Sequence, residues 1–77
     1  MIFALSPGEL FQHSHVTYSL TTLVEGSADL VVDGVRIPLV LGEPVTIEPN
    51  TKHAVINVGD IVVQVECGHI LPSTMTA

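Results

Sequence analysis

The sequence predicts an all-β single domain, a sandwich or a barrel, and three observations carry that prediction. No helical period of apolar residues is sustained anywhere along the 77 residues. β-Branched residues instead crowd short stretches separated by Gly, Pro, Asn and Asp about every eight to twelve residues, the rhythm of strands joined by turns. Hydrophobic residues make up 47% of the chain and charged ones 13%, which excludes intrinsic disorder.

Each element has its own signal. Ile2–Leu5 is apolar and ends at the Pro7-Gly8 turn. Residues 12–25 read as one or two strands closing at Glu25-Gly26-Ser27. Ala28–Val32 follows, and Asp33-Gly34 is a two-residue hairpin signal leading into residues 35–41, where Pro38 cannot donate to a ladder and so belongs at an edge or bulge. Residues 44–47 make the next stretch. Beyond the Pro49-Asn50 corner come residues 52–58, the Gly59-Asp60 turn, and residues 61–66 as the last clear strand. Residues 1–67 are thus expected to form the barrel and 68–77 a loosely held C-terminal extension.

Size and charge narrow the function. A chain this short buries only roughly 60% of the surface that its unfolded form exposes, so a disulfide, a metal or self-association is needed to supplement the core. The single Cys67 excludes an intrachain disulfide, leaving a metal and a homodimer. Two Lys or Arg against eight Asp or Glu give a formal charge of -6, which opposes nucleic acid and anionic membrane surfaces as partners. The free cysteine, and an N-terminus without a basic region or long apolar run, lead us to expect a cytoplasmic protein. No Gly-x-Ser-x-Gly, phosphate loop or nucleophile-base pair is present, which argues against acyl and phosphoryl transfer.

Chemistry concentrates in His13-Ser14-His15 and in His53. Two imidazoles at i and i+2 share one face of a strand, and a third from another strand completes a metal site. With residues 12–25 extended, His13, His15, Thr17, Ser19, Thr21 and Leu23 face one way and Val16, Tyr18, Leu20, Thr22 and Val24 the other. The histidines favour a barrel whose polar face is the lumen wall.

These residues resemble the cupin superfamily, whose motifs are G-x5-H-x-H-x3,4-E-x6-G and G-x5-P-x-G-x2-H-x3-N. His13 and His15 fit the H-x-H pair, and Gly26 closes the first motif, but Ser19 stands at the position of its Glu. The opening Gly is displaced, with Pro7 in its place and Gly8 one step late. In the second motif Gly42, His53 and Asn57 fit, Glu48 replaces the Pro beside Pro49, and Asn50 replaces the inner Gly. Asn tolerates the positive φ for which Gly is used there. The fifteen residues between the motifs look like the short spacing of small single-domain cupins.

The resemblance implies a minimal cupin barrel, a double-stranded β-helix or jelly roll, binding a divalent transition metal on His13, His15 and His53. Lacking the carboxylate, this set is similar to the three-His subset of the family, which includes thiol and diketone dioxygenases. Neutral imidazoles suit Fe, Zn, Ni or Cu, and Mn stays in the family's range, so the metal is left open. Ser19 and Gln64 are candidates to hold a metal-bound water or a substrate, Gln64 only if its strand turns it inward. Gly26, Gly42, Asn50 and Asn57 are expected to be structural. Cys67 and His69 read as a strand end. Two functions follow: a metal-dependent dioxygenase, isomerase or lyase acting on a small organic molecule, or a non-catalytic barrel that binds or senses a small molecule or the metal.

Overall fold

The computed structural model of this protein describes residues 1–70, and all of its regular structure is β. The strands are β1 (Ile2–Leu5), β2 (Leu10–His13), β3 (Tyr18–Glu25), β4 (Ala28–Val32), β5 (Val35–Pro38), β6 (Val45–Ile47), β7 (His53–Asn57) and β8 (Val63–Ile70). They form two four-stranded antiparallel sheets, ordered β1-β8-β3-β6 and β2-β7-β4-β5. No helix among the described residues is long and apolar enough to cross a membrane.

Strand alternation sends one face of each sheet inward. Leu5, Leu23, Ile47, Val63 and Val65 from the first sheet meet Ala28, Leu30 and Val55 from the second, and Leu39 joins them. Each Leu, Ile or Val among them contributes on the order of 1.5–3 kcal/mol when fully buried. The odd positions of β3 predicted to line the lumen do so, since Ser19, Thr21 and Leu23 are buried while Tyr18, Leu20 and Thr22 are only partly so.

Three local devices set the register. Asp33 and Gly34, with φ of 50° and 78°, form the tight turn that pairs Val32 with Val35. At the end of β3 the register slips between Leu23 and Glu25, and Gly26 follows with φ of 91°. A Cβ there would stand 3.1 Å from the Val63 backbone, so both conformation and space demand glycine. The third device is buried Asn57, whose Nδ2 donates to the carbonyls of Leu5 (2.9 Å) and Ile61 (2.8 Å) while its Oδ1 accepts from the Gly59 amide (2.9 Å). It ties β7 to β1 and to the loop before β8.

The structure differs from the sequence reading in detail. Residues 14–17 belong to no strand, so the stretch 12–25 is two strands in different sheets and His15 lies in the connection. Strand β5 stops at Pro38 on the edge of its sheet, and Leu41 makes only a single bridge with Leu23. Strand β8 runs to Ile70, because its pairing with β3 continues to Tyr18↔Ile70. Of the expected C-terminal extension, residues 71–77 lie outside the described residues.

Candidate metal centre

The site is built from three elements at one end of the space between the sheets. Strand β2 ends in His13, and register pairs it directly with His53, the first residue of β7. Their Nε2 atoms approach to 3.0 Å. His15 follows in the connection to β3, its carbonyl accepting from the Asn50 amide (2.6 Å), so the β6–β7 corner holds the segment that carries it. Asn50 turns that corner with φ of 60°.

The rings cluster tightly. Centroids of His13 lie 4.5 Å from His15 and 4.2 Å from His53, and His15 and His53 are 5.6 Å apart. His53 is 2% exposed, and its Nδ1 lies 3.0 Å from the Thr51 carbonyl. A carbonyl only accepts, so Nδ1–H donates to it and the neutral ring keeps its lone pair on Nε2, facing His13. Such a bond fixes the tautomer and ring orientation of a metal-ligating histidine. At 3.0 Å the His53 lone pair either accepts a hydrogen bond from His13 Nε2–H or shares a cation with His13 Nε2.

Cys67, read from the sequence as a strand end, stands against these histidines. It sits on β8, opposite Thr21 on β3, and is 4% exposed. Its Sγ lies 3.9 Å from His13 Nε2 and 3.7 Å from His15 Nε2. The ligand atoms of His13, His15 and Cys67 all fall within 4.8 Å of one another; His53 lies outside that set and touches it at His13. Burial pushes the Cys67 thiol up from its ordinary value of 9.0, and the positive amino terminus pulls it partly back. That terminus donates to the Cys67 carbonyl (3.0 Å), and the Cys67 amide donates back to the Met1 carbonyl (2.8 Å). The signal available in the sequence was parity, because Cys67 continues the inward series Val63, Val65.

The other predicted residues separate. Ser19, 1% exposed, points into the interior from β3, and its Oγ has no hydrogen-bond partner among the described residues. Gln64 alternates with Val63 and Val65 and so lies on the outer face, paired with Ala4 and Glu25, away from the histidines. The inward orientation that a contact with metal-bound water or substrate requires is not met there. Gly42 has φ of 79° in the loop after β5. A hollow of about 270 Å³ between Val32, Asp33, Thr46, Ile47, Glu48 and Thr51 opens at the end of the sheets where Thr51 meets His53. A second of about 270 Å³ is lined by Gln12, Val31 and Ala54, which alternate outward, together with Asp33, Gly34, Lys52 and His53.

The cupin domain model matches residues 1–67. The chain belongs to the cupin family. Solved cupins share its fold over nearly its whole length. A Cupin 2 conserved barrel domain protein from Salinispora arenicola superposes with a TM-score of 0.81 at 28% identity, covering 97% of this chain and 64% of that one. A predicted oxalate decarboxylase from Thermotoga maritima gives 0.80 at 19% identity, covering 91% and 63%. The Cupin_2 domain of an XRE family transcriptional regulator from Enterobacter cloacae gives 0.82 at 19%, covering 92% and 78%. The chain therefore spans less than two thirds of the length of the first two. No curated protein matches it.

Proposed function

We propose that this cupin binds a divalent transition metal through His13, His15 and His53 and works as a metal-dependent enzyme on a small organic molecule, in dioxygenase, isomerase or lyase chemistry. One observation carries the reading: His53 is held by Thr51 in the tautomer that turns its Nε2 lone pair toward His13 Nε2, 3.0 Å away. Two nitrogens on one ion at the usual 2.0–2.1 Å stand roughly 2.9–3.4 Å apart, so the donors fit a metal. When bound, the ion supplies Lewis acidity. The chain does the rest. Thr51 keeps His53 oriented, and the buried Ser19 hydroxyl is available to hydrogen-bond an oxygen of a bound molecule.

A non-catalytic barrel that binds or senses a small molecule is the second reading, and the composition of the interior favours it. The buried polar side chains are Ser19, Thr21, His53 and Asn57, so no carboxylate is buried among the described residues to serve as general acid or base. A homodimer in a reducing cytoplasm suits both readings. In its support, the edge strand β5 leaves Val35 60% and Ile37 38% exposed, and Cys67 is a free thiol. Metal-loaded protein incubated with a panel of small carbonyl, diketone and thiol compounds separates the readings. Turnover abolished in His53→Ala supports the enzyme, and binding without turnover supports the sensor.

A further inference from the structure

We propose that Cys67, as a thiolate, supplies the anionic ligand that the first motif lacks at Ser19, making the centre selective for a thiophilic ion such as zinc over manganese. This rests on the reading of the histidine cluster as a metal site and adds to it the fourth donor, the charge and the class of metal.

Geometry argues for it first. A zinc ion with nitrogen at 2.0–2.1 Å and sulfur at 2.3 Å in tetrahedral array separates the two donor atoms by about 3.6 Å. Cys67 Sγ lies 3.7 Å from His15 Nε2 and 3.9 Å from His13 Nε2. The sulfur thus stands at a shared-ion distance from both imidazoles.

Topology explains why a cysteine from β8 takes over a position that the motif assigns to β3. The two strands are neighbours, and Thr21 faces Cys67 two residues along from Ser19. Both Ser19 and Cys67 point inward. Serine is too short to reach from β3 as a glutamate does, and its buried Oγ, without a partner among the described residues, marks an interior polar position left to a bound species. The thiol reaches the histidines from the adjacent strand instead.

Charge completes the argument. Three neutral imidazoles leave a dication uncompensated in a partly buried site, whereas one thiolate lowers the net charge to +1. Binding breaks the Cys67 S–H bond, forms a sulfur–metal bond and releases the proton to solvent, with no change of oxidation state. Thiolate favours zinc and related soft ions and disfavours manganese, which prefers oxygen donors. Because β8 and β2 belong to different sheets, an ion held by Cys67 and His13 also pins the two sheets together.

The test uses cobalt(II) as a spectroscopic substitute for zinc in the whole chain. Titration of wild type is expected to give a near-ultraviolet sulfur-to-cobalt charge-transfer band at one equivalent. Cys67→Ser should lose that band, and its zinc affinity should fall roughly a hundredfold or more, since even residues that only support a ligand are worth 10–100-fold. Zinc binding to wild type at a pH where the histidines are neutral should also release close to one proton per ion, from the Cys67 thiol, a readout that needs no variant. Stoichiometric cobalt binding without the band, together with no proton release, overturns the thiolate and leaves the histidine site standing. No cobalt or zinc binding by wild type overturns both.

Discussion

Replacing Asn57 by alanine removes three hydrogen bonds at once, and the cost follows from what is left behind. The Leu5 and Ile61 carbonyls lose their donor and the Gly59 amide loses its acceptor. Each net hydrogen bond is worth about 1 kcal/mol, and a buried group left unsatisfied costs about 1–3 kcal/mol. The Leu5 bond is fully buried and the other two are half-buried, where water partly replaces the side chain. The expected loss is therefore about 3–4 kcal/mol. At roughly 0.05–0.15 kcal/mol per residue, the whole domain has about 4–12 kcal/mol to lose. Urea unfolding with a chelator present, to remove any metal contribution, should show the midpoint falling at constant m. Asn57→Asp should be at least as damaging, because it keeps the acceptor but turns a carboxylate toward two carbonyl oxygens. An alanine variant within about 0.5 kcal/mol of wild type, the range of an ordinary surface substitution, would refute the role given to this side chain.

Two further outcomes follow from the lumen wall and the turn before β4. Gly26→Ala forces a side chain into φ of 91° and to within 3.1 Å of the Val63 backbone, and should cost at least about 2 kcal/mol in denaturant unfolding. A neutral result would mean that the register slip at Leu23 and Glu25 relaxes freely. Ser19→Glu places a carboxylate on the inner face of β3. Without metal the buried charge should destabilise the fold by about 3 kcal/mol or more, and saturating zinc should recover much of that, widening the gap between chelated and zinc-loaded melts beyond the wild-type gap. Equal gaps would show that the Ser19 position does not reach the ion.

Much of the fold was legible because turns advertise themselves. Asp33-Gly34 announced a hairpin by residue type, and Pro38 announced an edge. The break at residues 14–17 was not announced, since Val16 and Thr17 favour extended chain and only the separation of β2 and β3 into different sheets overrides them. At the site, spacing pointed to His13, His15 and His53, and the fold brings their rings together. Spacing could not reveal Thr51, which acts through its backbone carbonyl. Nor could it reveal Cys67, whose contact with the histidines crosses from one sheet to the other and is set by packing. Gln64 was ambiguous for a related reason. Alternation gives two faces, and only the buried neighbours Val63 and Val65 decide which one points inward.

The most direct test of the central claim is the metal content of protein purified without added metal or chelator, beside His13→Ala and His53→Ala. The account predicts close to one equivalent of a divalent transition metal in wild type, lost in both variants. Metal-free wild type that takes up none on addition, with variants as stable as the parent, would contradict it.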